Sequence, residues 1–209
     1  MNPGRSTQQA AEKAALKAAE KAALRPEYRA LRASLQPGCE AAIQSQLAQA
    51  LPELHRPGQR LGIYWPLPGE IDLRPLAALE TVPLAMPAIH DGRLDYRAWD
   101  PADPLEPDGC GIPAPLGEAL PAAALSCLLV PALALDRQGV RLGYGGGWYD
   151  RLRADPTWRA VPAVVVLPSG CLRPALPRDP WDVPFDAWLD ETGLHRCGIK
   201  PGNPAAESR

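Results

Sequence analysis

The chain has 209 residues, a formal net charge of −2 and a hydrophobic fraction of 46%. This length can bury a sizeable core and is most simply one domain, and the slight acidity gives no strongly basic surface for nucleic acid. We expect no membrane span, because no apolar run reaches roughly 18 residues, and no signal peptide, because the start of the chain runs into an Ala/Lys/Glu stretch without an apolar core. Five cysteines without metal-binding spacing predict reduced thiols in the cytoplasm.

The first quarter of the chain has a helical composition. Residues 8–35 are rich in Ala, Lys, Glu, Arg and Leu, and apolar side chains recur on one side at Leu24, Tyr28, Leu31 and Leu35. Pro26 disfavours helical geometry at the residue before it, so we expect a break or kink there and a separate helix over 37–54. A basic row reads, from the residues alone, as a solvated helix face: Lys21, Arg25, Arg29 and Arg32.

The next part of the chain alternates short strands with turns. Residues 59–66 read as a strand closed by proline, and Glu70 follows it where open α/β sheets keep their ligands. The alternative is that Glu70 only partners the dipole of a helix at 73–80. Two more strands are expected at 81–89 and 95–99, joined by a tight turn and followed by an irregular segment rich in proline and glycine.

The strongest signal is a strand, a glycine loop and a helix start in succession. An apolar run at 125–135 has the length of a buried strand, and four glycines occupy five positions at 143–147, directly before a helix expected at 148–154. Glycines let several N–H groups turn towards an anion, as phosphate-binding loops do, although a glycine-rich hairpin is the alternative. Arg141 adds positive charge, whereas Asp150 would either partner the helix dipole or help to hold Mg²⁺.

This segment carries a family resemblance. Residues 136–151 read DRQGVRLGYGGGWYDR and resemble the D-x-x-G-x-R-L-G-x-G-x-G-Y-Y-D signature of the 5-formyltetrahydrofolate cyclo-ligases. Trp148 stands where the family usually has tyrosine. Residues 111–115 (GIPAP) are similar to the family's I-P-x-P element, which lies against the substrate, while Cys110 falls where some members carry a stacking aromatic residue.

The resemblance extends to both sides of the glycine loop. Lys21, Arg25 and Arg32 match the K-x-x-L-R-x-x-x-x-x-x-R motif near the family's amino terminus, whose first Lys and Arg contact ATP phosphates, and Glu70 matches the glutamate of its E-[IV]-[DE] motif. Residues 176–186 resemble the closing motif L-P-x-[ED]-x-H-D, in which Trp181 replaces the histidine. The similarity therefore covers most of the chain.

The resemblance implies specific roles for these residues. It implies an ATP site formed by Lys21, Arg25, Arg141, Leu142, Gly143, Tyr144, Gly145, Gly146, Gly147, Trp148 and Tyr149. It also implies that Glu70 and Tyr149 bind the folate substrate, and that Asp150 and Asp182 hold Mg²⁺. No role is expected for Trp181 or Cys110.

The resemblance also implies a fold and a reaction. The fold would be α/β, a single-domain open, mostly parallel Rossmann-like sheet flanked by helices (NagB/RpiA-like), with a central strand at 159–167. This domain would span 21–195, after an Ala-rich extension at 1–20 and before a disordered tail at 196–209. The monomeric enzyme would use ATP and Mg²⁺ to convert 5-formyltetrahydrofolate into 5,10-methenyltetrahydrofolate, releasing ADP and phosphate.

In the implied mechanism the N5-formyl oxygen attacks the γ-phosphoryl group, and N10 then closes the ring as phosphate leaves. Two alternatives stay open. One is another phosphate-binding α/β enzyme, such as a sugar-phosphate isomerase or a phosphotransferase. The other is a folate or nucleotide binder that does not catalyse a reaction.

Overall fold

The structure is a computed structural model that describes residues 3–179 and 181–198. A long helix, α1 (Pro3–Leu54), opens the chain, and the short helices α2 (Trp148–Ala154) and α3 (Pro156–Arg159) follow the glycine loop. Short 3-10 segments lie at Arg74–Ala78, Ala122–Ala124 and Ser169–Cys171. In this described part of the chain, no helix combines the length and the apolarity needed to cross a bilayer.

The strands are short and distributed along the whole chain after α1. In chain order they are β1 (Arg60–Gly62), β2 (Leu84–His90), β3 (Arg93–Trp99), β4 (Leu105–Pro107), β5 (Pro113–Pro115), β6 (Leu125–Pro131), β7 (Ala134–Asp136), β8 (Arg141–Leu142), β9 (Ala163–Val166), β10 (Leu172–Arg173), β11 (Ala187–Asp190) and β12 (Gly193–Arg196).

A mostly parallel sheet dominates the fold. Within the described residues it has seven strands in the order β12-β11-β9-β6-β1-β2-β3. The five inner strands run parallel, and β3 and β12 pair antiparallel at the two edges. A small sheet, β10-β7-β8, leads into the glycine loop, and β4 and β5 form a hairpin. The predicted α/β class with a mostly parallel sheet flanked by helices is confirmed.

The sheet is buried on both faces, as parallel sheets are. Along β6 successive side chains alternate between two core clusters, with Leu128 and Val130 in one and Cys127 and Leu129 in the other. Helix α1 contributes to both clusters, since Tyr28 packs in the first and its later residues pack in the second. This helix therefore crosses the end of the sheet, with its Lys21–Arg32 region close to the glycine loop.

The predicted break at Pro26 and the predicted separate helix at 37–54 are wrong, because α1 continues through Pro26, Pro37 and Pro52. A proline inside a helix costs roughly 3 kcal/mol. All three prolines lie on the exposed side of α1, where water can reach the carbonyl groups left without an N–H donor. Side chains on the opposite side are buried, at about 1.5–3 kcal/mol for each large apolar residue, and so hold the helix together.

Other predicted elements differ in extent. The helix expected at 73–80 is the 3-10 segment Arg74–Ala78, and of the strand expected at 59–66 only Arg60–Gly62 forms β1. The irregular segment before β6 contains the hairpin of β4 and β5. Strand β9 is central, as predicted, but begins at Ala163, since Arg159 is the last residue of α3 and a turn follows it.

The structure describes only the first part of the tail predicted at 196–209. Arg196 ends β12, the Cys197 amide donates to the Asp186 carbonyl, and the Gly198 amide donates to the Arg137 carbonyl. These bonds order the chain up to 198. The rest of the predicted tail, 199–209, lies outside the described residues.

Candidate active site

A cavity of about 520 Å³ lies beyond the carboxyl ends of the parallel strands β1, β2 and β6, where open α/β sheets bind ligands. All the residues predicted for the site line this cavity. They are Lys21, Arg25, Glu70, Arg141, Leu142, Gly143, Tyr144, Gly145, Gly146, Gly147, Trp148, Tyr149, Asp150 and Asp182. The structure thus brings together side chains from α1, from the loop after β1, from the glycine loop and from the segment after β10.

The glycine loop, residues 143–147, connects β8 to α2 and presents its backbone to the cavity. Within the described part of the chain, none of its amides donates a hydrogen bond to a protein acceptor. Gly145 has φ 104° and Gly147 has φ 65°, conformations that other residues rarely adopt. A Cβ atom on Gly146 would lie 2.6 Å from the Trp148 indole nitrogen. The loop therefore offers free amides to an anion rather than sheet or turn pairing.

Two basic side chains of α1 lie beside this loop. Arg25 donates from Nε to the Gly143 carbonyl at 3.1 Å, and its guanidinium group lies against Gly145. Lys21, one turn earlier, also lines the cavity. Because α1 continues through Pro26, both side chains keep their helical spacing and face the loop. Their charges add to the attraction of the free amides for a polyanion.

Lys21 lies between two aspartates. Its Nζ is 2.9 Å from Asp179 Oδ2 and 2.6 Å from Asp182 Oδ2. Burial would lower the pKa of Lys21, but the hydrogen bonds with Asp182 and Asp179 outweigh it and raise the pKa above its ordinary value. Lys21 is therefore a permanent cation that fixes the position of both carboxylates.

Asp150 differs from this pair because its carboxylate is free. It lies half-buried in the first turn of α2 and accepts no hydrogen bond from any described residue. No group of three or more His, Cys, Asp or Glu side chains within the described ranges could enclose a metal ion. Asp150 and Asp182 nevertheless line the same cavity, and two carboxylates completed by phosphate oxygens and water suit Mg²⁺.

Arg141 lies beneath the loop and is held in place by several contacts. It donates from Nη1 to the Pro131 carbonyl at 3.0 Å, and its guanidinium carbon lies 5.0 Å from the centre of the Tyr149 ring and 5.4 Å from that of Phe185. Burial raises the pKa of Tyr149 to about 12, so its hydroxyl stays protonated. Arg141 thus joins the end of β6, the glycine loop and α2.

Glu70 is the most enclosed acidic group of the cavity. Its Oε1 accepts from the Tyr144 hydroxyl at 2.7 Å and from Arg32 Nη1 at 3.3 Å, and its Oε2 accepts from the Leu67 amide at 2.8 Å. Burial raises the pKa of Glu70, although these three donors oppose the shift. The arrangement of donors suits an ionised carboxylate.

Part of the cavity lining is apolar or aromatic. This part consists of Tyr64, Trp65, Pro87, Ile89, Leu94 and Ile112. Ile112 belongs to the predicted I-P-x-P element, and Cys110 and Trp181, for which no role was expected, line the cavity as well. A flat heterocycle with polar edges would fit between this apolar wall and Glu70.

The sequence interpretation missed two charged residues. Arg32 matched the family's amino-terminal motif but was given no role, yet its side chain is only 2% exposed and donates to Glu70. A signal existed, because Arg32 follows the apolar Tyr28 by four residues and so lies on the same side of the helix. Asp179 was not singled out, although it precedes Asp182 by three residues and shares Lys21 with it.

Comparisons with known proteins agree with the resemblance seen in the sequence. The sequence model of the 5-formyltetrahydrofolate cyclo-ligase family matches residues 17–191. A 5-formyltetrahydrofolate cyclo-ligase of Haemophilus influenzae is 28% identical over 179 residues, which cover 77% of this chain and 92% of that protein. One of Escherichia coli is 29% identical over 138 residues, covering 61% of this chain and 75% of the relative.

Solved structures show the same relationship. The 5,10-methenyltetrahydrofolate synthetase of Aquifex aeolicus superposes with a TM-score of 0.70 at 27% identity, covering 90% of this chain and 99% of that one. A 5,10-methenyltetrahydrofolate synthetase of Mycoplasma pneumoniae superposes with a TM-score of 0.63 at 20% identity, covering 82% and 99%. The second likeness concerns the fold alone.

Proposed function

The chain belongs to the 5-formyltetrahydrofolate cyclo-ligase family, whose sequence model spans residues 17–191, and we propose that it converts 5-formyltetrahydrofolate and ATP into 5,10-methenyltetrahydrofolate, ADP and phosphate. One observation of the geometry carries this proposal. One cavity is lined by the free amides of the glycine loop, by the basic Lys21 and Arg25, by the carboxylate of Glu70 and by a set of apolar side chains. That cavity has a place for a polyanion next to a place for a heterocycle.

The roles proposed for the residues follow from these positions. The amides of 143–147 would bind the outer phosphates of ATP, with Arg25 and Lys21 neutralising the remaining charge. Glu70 would accept hydrogen bonds from the pterin ring, whose flat faces would contact the apolar wall. Tyr149 would contribute to this wall, and Arg141 would hold the glycine loop in place.

The reaction would proceed by two displacements within this cavity. The N5-formyl oxygen attacks the γ-phosphorus, so that a new O–P bond forms and the bond to ADP breaks. N10 then attacks the formyl carbon, loses its proton, and expels phosphate as the C–O bond breaks. The chain itself contributes positioning and charge neutralisation, which are the main sources of catalysis in phosphoryl transfer.

A divalent cation fits the acidic side of the cavity. Asp150 and Asp182 would hold Mg²⁺, since within the described residues no protein donor reaches the Asp150 carboxylate or the Asp182 Oδ1. The ion would supply charge compensation for the phosphate oxygens. Lys21 would keep Asp182 oriented for this contact.

We also propose that the protein is a cytoplasmic monomer whose catalytic unit spans 21–195. The five cysteines are free thiols, which suits a reducing compartment. The family match begins at 17, close to the proposed start of this unit, which leaves the first part of α1 as an extension.

The proposed activity can be tested by following the absorbance of 5,10-methenyltetrahydrofolate. Purified protein supplied with 5-formyltetrahydrofolate, ATP and Mg²⁺ should form the product, and removal of ATP or addition of EDTA should stop its formation. ADP and phosphate should appear in equal amounts with it. Tight binding of both substrates without any product would contradict the proposal and indicate a non-catalytic binder.

Replacing Arg141 with alanine should lower kcat/KM for ATP by about tenfold or more, because the loop loses its support from the Pro131 carbonyl and the Tyr149 ring. Steady-state kinetics with varied ATP would measure the change. Arg137→Ala is the matched control, since Arg137 is exposed in the turn before β8. A change confined to the KM for folate would place Arg141 on the folate side instead.

A further inference from the structure

The Tyr144 hydroxyl connects the glycine loop to Glu70. It donates to Glu70 Oε1 at 2.7 Å and accepts a hydrogen bond from Arg32 Nη2, across a separation of 74 residues between Tyr144 and Glu70. Tyr144 belongs to the loop whose amides face the cavity, whereas Glu70 belongs to the loop after β1. One hydroxyl thus joins the two halves of the cavity.

Arg32 anchors this connection to the rest of the fold. Its Nη1 donates to the Ala132 carbonyl at 2.9 Å and to Glu70, and its Nη2 donates to the Pro68 carbonyl at 3.4 Å as well as to Tyr144. These acceptors lie at the end of β6, in the loop after β1 and in the glycine loop. A single guanidinium group therefore fixes three segments that surround the cavity.

Two of the three side chains in this connection are almost fully buried. The side chains of Arg32 and Glu70 are only 2% and 1% exposed. Burial, followed by the neighbouring Glu70 charge, raises the pKa of Tyr144 to about 12, so this hydroxyl stays protonated. It therefore donates a hydrogen bond to Glu70. The order of donors is fixed: Arg32 donates to Tyr144, and Tyr144 donates to Glu70.

We propose that Tyr144 and Arg32 are positioning residues that couple the position of Glu70 to the position of the glycine loop, so that folate and ATP bind cooperatively. The proposal rests on the proposed function. A folate held by Glu70 fixes the carboxylate, the carboxylate fixes the Tyr144 hydroxyl, and Tyr144 fixes the amides that receive the phosphates. By thermodynamic linkage, ATP must then strengthen folate binding by the same factor.

Tyr144→Phe isolates the hydroxyl. Phenylalanine keeps the ring that lies 5.4 Å from the guanidinium carbon of Arg32 and 5.6 Å from that of Arg29, and so preserves the packing of the loop. Calorimetric titration would measure the affinity of a non-hydrolysable β,γ-imido analogue of ATP, with Mg²⁺, in the presence and absence of saturating 5-formyltetrahydrofolate. The reciprocal titration would measure folate.

In the wild-type protein, folate should raise the affinity for the analogue by about fivefold or more, within the usual range of coupling between sites. In Tyr144→Phe the coupling factor should fall towards one. Tyr28→Phe is the matched control, because it removes a hydroxyl from the same helix as Arg32 at a ring that packs in the core, and it should keep the wild-type coupling.

Two results would overturn the inference: wild-type protein that binds the two ligands independently, or a Tyr144→Phe variant that retains full coupling. If the Tyr144 hydroxyl had only a structural role, Tyr144→Phe would instead lower both separate affinities and the unfolding midpoint together, and this result would also overturn the inference. If wild-type protein bound neither ligand, or formed no product, the proposed function itself would fail. The two failures are therefore distinguishable.

Discussion

Replacing Asp150 with asparagine should lower the rate of methenyltetrahydrofolate formation by about 100-fold or more, while the fold remains intact. The side chain keeps its shape, but the anionic oxygens that would bind Mg²⁺ become a neutral amide. The structure leaves Asp150 free for such a contact, because its carboxylate accepts no hydrogen bond in the described residues. Turnover measured over a range of Mg²⁺ concentrations would reveal the loss.

The alternative role of Asp150 gives a different expectation. As a mere partner of the α2 dipole, it would contribute at most about 1 kcal/mol to folding and nothing to turnover. Urea denaturation of Asp150→Asn should show a change no larger than this. Asp103→Asn, at an exposed position in the turn before β4, is the matched control and should behave as wild type in both assays. Unchanged kinetics in Asp150→Asn would remove this residue from the metal site.

The features of the site that the sequence predicts are those encoded locally. The glycine loop follows a buried strand and precedes a helix within about 25 residues, and its glycines are required by positive φ angles at Gly145 and Gly147. Lys21 and Arg25 lie four residues apart and so face the same direction on any continuous helix. Such short-range features can be predicted from the sequence because they depend on residues that are close together in the chain.

Contacts between distant segments could not be predicted from the sequence in the same way. The sequence interpretation assigned Tyr144 to the ATP site and did not predict that its hydroxyl donates to Glu70. This pairing depends on how α1 and the sheet bring two loops together. The continuity of α1 through Pro26 has the same origin, because packing against both core clusters outweighs a local preference. The Asp179 contact with Lys21 likewise spans the chain.

Helix propensity also does not distinguish a charged residue that is solvated from one that is buried with partners. Arg32 and Arg29 belong to the same basic row of α1, yet Arg29 is exposed and Arg32 is buried. Only the three-dimensional arrangement of acceptors around Arg32 distinguishes them. This difference provides a matched pair of substitutions on one helix.

Replacing Arg32 with methionine should lower the free energy of unfolding by about 3–5 kcal/mol, the usual cost of removing one partner from a buried ion pair. Methionine fills a similar volume but removes the charged donor from the Glu70 carboxylate, which keeps only Tyr144 and Leu67, and removes the Arg32 donor from the Ala132 carbonyl. Urea denaturation at neutral pH would measure the loss. Arg29→Met, at the exposed position three residues earlier, should cost less than about 1 kcal/mol.

The pH dependence of this loss identifies its cause. Burial already raises the pKa of Glu70 above its ordinary value of 4.5, and removal of Arg32 takes away a group that opposes the shift. The native variant therefore binds a proton more readily than the unfolded chain, so its stability falls as the pH rises through the raised pKa. The destabilisation should be largest above that pKa and should shrink as the pH falls towards 4.5. A loss that is equal at all pH values would mean that packing, rather than the uncompensated charge of Glu70, causes the effect.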